Sequence, residues 1–539
     1  MPGMSSPESW SRDAVIYQIY PRSFADADGD GIGDLPGVVS KLDYLARLGV
    51  DALWLSPFYR SPMADGGYDV ADHRDVDPVF GNLSDLDTLL AGAHRRGLKV
   101  LVDIVPNHTS VAHPWFREAV AAGPGSPARE RYVFRDHPAG GGPPNDWPSA
   151  FGGPAWTRVD SQSYLHLFAP EQPDLNWQHP QVRAEFAGIL RFWLDRGVDG
   201  LRIDVADAPV KPPGLPDAGP DPVDTTRYLD QDGVHDIYRQ WRSILDSYRP
   251  ERIAVAEAWT PGPERLARYV RPDELHQAFN FRFLATGWSA PAYREVISTT
   301  LAAMDKVGAP TTWVLSNHDV VRPASRLGRP DGQTGGTPGG LVRGAPPGDP
   351  VRGLARARAA ALLMLALPGS AYLYQGEELG LPEVYDLPEP ARQDPGLHRS
   401  GGATLGRDGC RVPLPWSGTA PPFGFGPPGS APWLPQPAGW AALTAQAQDA
   451  DPGSTLSLYR AALRLRRQLR LGRGPIDWPD PPDPDVLLVD RPGLVCATNC
   501  GTTPVTLPPR YGHRLLASGP VPGAGVLPPD TTVWCRLVD

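Results

Sequence analysis

Apolar residues in this chain gather in short unbroken runs, separated by longer stretches in which they recur every three or four positions. Eight runs, at residues 14–20, 51–56, 99–105, 198–204, 253–259, 278–283, 312–316 and 371–375, have the length and continuity of strands buried on both faces. The spacing between them predicts helices that include 38–48, 83–96, 182–196, 293–306, 355–367 and 456–469. In the 83–96 segment Leu86, Leu89, Leu90 and Ala93 share one helical face, which is the side that packs inward. Strand and helix alternating eight times predict an α/β fold, a closed parallel (β/α)8 TIM barrel. An open doubly wound sheet fits less well, because it rarely needs eight units and its glycine-rich fingerprint is absent.

The alternation is interrupted after the third strand. Between Asn107-His108-Thr109 and the helix that starts near His179 lie about 70 residues rich in Gly, Pro and aromatics, far more than an ordinary loop, so an inserted subdomain is expected. A second insertion follows strand eight, from Pro382 to about Ser454. The segment 328–350 is rich enough in Gly and Pro to predict a mobile rim loop. After Arg473 the pattern becomes short alternating runs, at 486–489, 493–497, 526 and 533–538, which predicts a C-terminal antiparallel β-domain. The expected division is a catalytic barrel over 1–108 and 176–473, an inserted subdomain over 109–175 and a C-terminal domain over 474–539.

Composition narrows the classes. At 539 residues the chain is too long for one core. A net charge of −10 leaves no electrostatic footprint for nucleic acid. Residues 1–10 lack a basic region followed by an apolar one, so no signal peptide is expected. The longest uncharged apolar run, 359–367, is about half of what a membrane helix needs. Cys410, Cys496, Cys500 and Cys535 make neither a disulfide framework nor a metal-site pattern, which fits buried thiols in a reducing cytoplasm.

In a parallel barrel the polar residues at the carboxyl ends of the strands converge on one face. Here strand three ends with Asp103 and Asn107-His108, strand four with Arg202 and Asp204, strand five with Glu257, and strand seven with Asn317-His318-Asp319. Taken singly, Asp103 reads as a structural carboxylate and His318 as a satisfied hydrogen-bond partner. Taken together they read as an active site. Arg202 lies two residues before Asp204, hence on the same strand face, and a fixed cation there predicts an ionised carboxylate able to act as nucleophile. A separate stretch, Asp26-Ala27-Asp28-Gly29-Asp30-Gly31-Ile32-Gly33-Asp34, alternates carboxylates with glycines as a hard divalent cation requires. Its twelfth position is Gly37 and not the bidentate Glu of an EF-hand.

These blocks resemble the α-amylase family, glycoside hydrolase family 13, and its bacterial α-glucosidase and oligo-1,6-glucosidase branch. The resemblance rests on Asp103-Ile104-Val105-Pro106-Asn107-His108, the 200–204 block, Val255-Ala256-Glu257-Ala258-Trp259 and Leu315-Ser316-Asn317-His318-Asp319. Gln172-Pro173-Asp174-Leu175-Asn176-Trp177 and Tyr374-Gln375-Gly376-Glu377-Glu378 add to it, and it is dense over residues 15–416. It implies Asp204 as the nucleophile that forms a β-glycosyl ester, Glu257 as general acid and then base, and Asp319 as stabiliser of the transition state. A protonated Glu257 beside an ionised Asp204 would need a drier, less cationic setting for Glu257. The resemblance also implies sugar contacts from His108, Arg202, His318, Asp65 and Tyr68, the tyrosine serving as a stacking platform. It implies pocket walls from Phe151, Phe168 and Gln172, and an Arg411 that pairs with Asp65 to block the pocket beyond one sugar.

For the acidic loop the resemblance implies structural Ca2+ (or Mg2+) held by Asp26, Asp28, Asp30, Asp34 and the Ile32 carbonyl, with no organic cofactor. Val205 follows the nucleophile, a position tied to α-1,6 versus α-1,4 preference in parts of the branch. Asp207 stands where relatives often carry Lys, Asn or His. The expectation is a cytoplasmic, retaining, exo-acting α-glucosidase on short oligosaccharides, with transglucosylation possible, as a monomer or small homo-oligomer that engages neither nucleic acid nor membrane. A sucrose- or trehalose-converting relative shares every catalytic residue, and a catalytically inactive binding partner would usually have lost one.

Overall fold

The computed structural model describes residues 9–537 apart from 139, 220–224, 331, 334, 335, 337, 512 and 524. Residues 1–8, on which most of the leader-peptide expectation falls, and 538 of the last predicted run lie outside the described residues. Among the described residues an eight-stranded parallel sheet forms the nearly closed barrel. In chain order its strands are Val15–Ile19, Ala52–Leu55, Lys99–Ile104, Gly200–Ile203, Ile253–Ala256, Gln277–Ala278, Thr312–Val314 and Ser370–Tyr374. Hydrogen bonding runs six-five-four-three-two-one-eight-seven. The seam between strands six and seven is bridged by Asn280 N–H donating to the Thr312 carbonyl at 2.9 Å.

Period-two alternation splits every strand between two cores. Ile16, Ala52, Trp54, Leu101, Ile253, Val255, Val314 and Tyr372 fill the barrel interior. Tyr17, Leu53, Leu55, Val100, Val102, Leu201, Ile203, Ala254 and Leu373 face the surrounding helices. Strand four brings Gly200 and then Arg202 to the interior. A Cβ on Gly200 would stand 2.8 Å from Ile253 Cγ1 and 3.0 Å from Leu101 Cγ, so only glycine fits the barrel axis there.

Three elements differ from the sequence pattern. Strand six is only Gln277–Ala278, and the rest of its apolar run continues into the helix Phe281–Ala285. Asn280 explains the switch, since its side chain accepts from Phe283 N–H at 3.1 Å as an N-cap. The predicted 38–48 helix is two, Leu35–Ser40 and Leu42–Leu48, divided at Lys41, whose φ and ψ are −109° and 4°. A helix not among those predicted, Val234–Asp246, covers the barrel between strands four and five.

The insertion after strand three carries the helix Pro114–Ala122 and an antiparallel sheet of Phe134–Asp136, Trp156–Val159 and Gln162–Leu165. Its core of Val133, Trp147, Trp156, Leu165 and Leu167 also packs on Ala208, Leu215 and Tyr228, so it is seated on the strand-four loop. In the predicted rim loop, Leu341–Val342 pairs with Thr404–Gly406 of the strand-eight insertion; residues 331, 334, 335 and 337 of that loop lie outside the described residues. The C-terminal domain is an antiparallel sheet of Val486–Arg491, Leu494–Asn499, Thr531–Arg536 and His513–Ala517. It docks on the helix Pro350–Ala366 through Trp534 Nε1–H to Leu362 O at 3.1 Å and Thr532 Oγ1–H to Ala359 O at 2.9 Å. That contact buries the most apolar stretch of the chain, and no helix among the described residues is long and apolar enough to cross a membrane.

Candidate active site

Strand register sets the level at which each side chain enters the site. Asp103 pairs with Arg202, and Arg202 with Val255. One rung further, Asp204 N–H donates to Ile104 O at 2.9 Å and Glu257 N–H to Ile203 O at 2.9 Å. The two carboxylates therefore extend the ladder just beyond the last paired residues of strands four and five.

Arg202 is the hub. Its guanidinium, 1% exposed, donates through Nη1 to Asp103 at 2.8 Å and Asp204 at 2.6 Å, and through Nη2 to Glu257 at 2.5 Å. The rings of Trp54 and Tyr68 flank it at 5.0 and 5.8 Å. A planar fork can hold carboxylates on separate nitrogens, which an ammonium group could not do with the same geometry. Asp103 also accepts from Trp54 Nε1–H at 3.2 Å and the Tyr68 hydroxyl at 3.1 Å, so it orients its neighbours from full burial.

Two electrostatic expectations are corrected here. Glu257 does not sit in a less cationic setting than Asp204, because Arg202 lies between the two strand ends and its diverging Nη groups reach both. Nor does the cation alone decide the state of Asp204. Burial pushes its carboxyl well above the usual range; Arg202 opposes this, while Glu257, Asp103 and Asp319 add to it. Burial likewise brings Asp103 up to about 6 against the pull of Arg202. With one guanidinium among three buried carboxyls, mutual repulsion favours keeping a proton within the cluster.

Val205, between these groups, takes a φ of 39°. That is the left-handed region, where a β-branched residue is strained. The turn aims Val205 N–H at Glu257 Oε2, 3.0 Å away.

Across the site, Asp319 is held by His318 at 3.3 Å, Arg407 at 3.0 Å and Arg411 at 2.8 Å, and these partners keep its carboxyl well below the usual range despite burial. His318 stacks on Tyr68 with ring centroids 5.2 Å apart and an interplanar angle of 7°, and its Nδ1 meets Gln18 Nε2 at 2.8 Å. Burial drives His318 well below its ordinary value and brings His108 down to about 3, so both imidazoles are neutral hydrogen-bonding groups.

The expected partner of Asp65 is also corrected. Arg407, not Arg411, pairs with it at 2.5 Å. Arg407 further reaches Asp319 and Asp394 and lies 4.8 Å from the Phe151 ring centroid. Arg411 instead donates to the His318 carbonyl at 2.8 Å and to Asp319. The two arginines are four residues apart around the turn Asp408–Cys410, so they approach the pocket from different sides. The other Asp65 oxygen accepts from Gln172 Nε2 at 3.1 Å, and Gln172 also meets His108 Nε2 at 3.1 Å. Phe168 lies 5.3 Å from His108 and 5.9 Å from Phe151, so both phenylalanines border the site.

Two further residues were not anticipated. Asp394, in Gln393-Asp394-Pro395, anchors Arg407. Buried Lys211 joins Asn107 at 2.6 Å, Asp174 at 2.8 Å and the Ala208 carbonyl at 2.6 Å, and so ties the inserted subdomain to the strand-four loop. A lysine in a Pro-rich loop carried no signal of its own.

In the acidic loop, Asp26, Asp28 and Asp34 offer oxygens within 4.8 Å of one another. Asp30 turns one oxygen to Ile32 N–H at 2.8 Å and stands outside that group. Asp26 accepts from Gly29 and Gly31 N–H, and Asp34 from Ala27 and Gly37 N–H. Burial raises the Asp26 and Asp34 carboxyls, and neighbouring Asp28 adds to both. Clustered oxygen donors without a cationic side chain suit a hard cation.

The sequence profile described as "Alpha amylase, catalytic domain" matches residues 18–473. A probable α-glucosidase of Rhizobium meliloti (strain 1021) is 39% identical over 496 residues, 87% of this chain and 85% of its own. The oligo-1,6-glucosidase of Parageobacillus thermoglucosidasius is 35% identical over 499 residues, 85% of this chain and 84% of its own. Among solved structures, the α-glucosyl transfer enzyme XgtA superposes with a TM-score of 0.86 at 37% identity, covering 98% of this chain and 99% of its own. The trehalulose synthase MutB from Pseudomonas mesoacidophila MX-45 gives 0.86 at 30%, covering 99% and 100%.

Proposed function

The chain belongs to the α-amylase family, and we propose that within it this glycoside hydrolase is a retaining, exo-acting α-glucosidase. Asp204 attacks the anomeric carbon of a terminal α-linked glucose while Glu257 gives its proton to the departing oxygen. The β-glucosyl–Asp204 ester is then opened by water, whose proton returns to Glu257. Asp319 holds the sugar hydroxyls as positive charge develops on the ring. The observation that carries the reading is the shared guanidinium. One arginine bonded to both Asp204 and Glu257 supports the short separation of a retaining pair, about 5–5.5 Å. Exo action is supported by the Asp65–Arg407–Asp394 chain beside Phe151, a charged wall that would close the pocket beyond one sugar. Four buried free thiols support a reducing, cytoplasmic setting.

Glucose release from maltose, isomaltose, sucrose and trehalose tests the reading. Expected is turnover of maltose or isomaltose, with α-glucose as the first anomer seen by NMR. A first product in the β form would sink retention. The likeness to XgtA and MutB favours a second reading, glucosyl transfer to a sugar or sucrose conversion on the same carboxylates. New disaccharides in excess of free glucose would select it.

The acidic loop is proposed to hold Ca2+ or Mg2+ through Asp26, Asp28, Asp34 and, on closing around the ion, Asp30 and the Ile32 carbonyl. The ion would neutralise these carboxylates beside the strand-one loop and take no part in the chemistry. EDTA is expected to lower Tm by several degrees, with recovery on adding Ca2+. An unchanged melting curve would remove the site.

A further inference from the structure

We propose that Arg399 is a positioning residue: it clasps the tip of the inserted subdomain to the strand-eight insertion and so holds Phe151 against Arg407, which closes the pocket around the terminal sugar. This rests on the reading of the site as a pocket for one terminal glucose.

Phe151 rides on a tight turn. Gly152 N–H donates to the Ser149 carbonyl at 2.9 Å, and Ser149 N–H to the Gly153 carbonyl at 2.9 Å. The first arm of the turn is fastened to its own subdomain. There the Ser149 hydroxyl donates to the Phe168 carbonyl at 2.7 Å and Ala150 N–H to the Leu167 carbonyl at 2.8 Å. The second arm is held from outside. Arg399 Nη2 donates to the Gly152 carbonyl at 2.7 Å and to the Pro154 carbonyl at 3.4 Å. The two backbones also meet closely, since a Cβ on Gly152 would stand 3.1 Å from the Arg399 carbonyl oxygen, and Gly152 has a φ of 100°. Close approach and conformation both require glycine there.

Among the described residues no carboxylate pairs with Arg399, and its Nε is buried without a partner. The side-chain hydrogen bonds of this guanidinium therefore go to the backbone of another subdomain, where a charged donor makes a stronger bond than a neutral one.

The other end of the clasp leads back to the pocket. Arg399 closes the helix Pro395–Arg399, whose first turn is capped by Asp394 accepting from Gly396 N–H at 2.8 Å. The second Asp394 oxygen accepts from Arg407, through Nε and through the backbone N–H at 3.1 Å. Arg407 in turn lies 4.8 Å from the Phe151 ring centroid. The circuit is closed, from Arg407 through Asp394 and the helix to Arg399, across to Gly152, and back through Phe151. Without Arg399 the second arm of the turn loses its outside donor, and the aromatic wall is tied on one side only.

Arg399→Ala is expected to raise KM on an aryl α-glucoside about 5–20-fold and to leave kcat within about 2-fold. A wall that touches the sugar alike in the ground and transition states contributes uniform binding. In a Phe151→Ala background the same substitution should change KM by less than about 2-fold, because the residue it acts through is gone. Effects that multiply across the two positions, or a fall in kcat at constant KM, would overturn the proposal. Amide hydrogen exchange reads the clasp without substrate. Peptides spanning 149–154 should exchange faster in Arg399→Ala while those of the helix at 180–195 do not change. Unaltered exchange at 149–154 would equally overturn it. If the wild type turns over no α-glucoside, the function reading fails, and hydrogen exchange still decides whether the clasp exists.

Discussion

Asp204→Ala is expected to lower kcat/KM on an aryl α-glucoside by about 10^4-fold or more while the protein stays folded. The loss follows from chemistry: without the carboxylate no glycosyl ester forms, and water must attack directly a centre that the site was not shaped to present to it. Retention of the fold follows from the contacts. The Asp204 side chain accepts from Arg202, and that arginine keeps Asp103 and Glu257 as partners when Asp204 is gone. A small nucleophile such as azide, entering from the vacated side, should restore turnover of an activated glucoside and yield the β-glucosyl azide. Hydrolysis at a near-normal rate in the variant, with circular dichroism unchanged, would remove Asp204 from the mechanism.

Arg202→Met is expected to cost about 3–5 kcal/mol of stability and to abolish activity, because it leaves buried carboxyls without their cation. The sign of its pH dependence is fixed. Asp103 already sits at about 6 in the folded protein against 3.8 as reference, and Arg202 is what holds it from going higher. Removing the arginine raises the folded-state values of Asp103 and Asp204 further, so ionisation pulls harder toward the unfolded chain as pH rises from about 4 through 6 and beyond. The Tm deficit of the variant relative to wild type should therefore be largest near pH 8 and shrink on acidification. A deficit independent of pH would mean that Arg202 contributes by packing against Trp54 and Tyr68 alone.

The barrel was legible because its strands are buried on both faces and its helices keep a clean periodicity. Strand six was misjudged for a local reason. Phe279, Phe281 and Phe283 continue an apolar run, yet the cap at Asn280 turns it into a helix, and a single asparagine weighs little in a periodicity argument. The site was legible where chemistry falls at strand ends, since register alone brings Asp103, Arg202, Asp204 and Glu257 to adjacent rungs. It was not legible where long loops choose among equivalent side chains. Arg407 and Arg411 share one short motif, and only their approach directions decide which meets Asp65. The setting of Glu257 was misread because sequence placed Arg202 beside Asp204 and could not show that the same guanidinium extends to the neighbouring strand.

Arg407 and Asp65 are 342 positions apart in the chain, and Asp319 and Asp394 also precede their shared arginine. A ribosome therefore delivers the anions first and the group that reconciles them last. The barrel's eight strands are all translated by residue 374, before Arg407 leaves the exit tunnel. Until residue 407 emerges, Asp65, Asp319 and Asp394 lack the guanidinium they share. The Asp65–Arg407–Asp394 wall is in that sense a late product of synthesis, set by a segment outside the barrel's own hydrogen-bonded sheet.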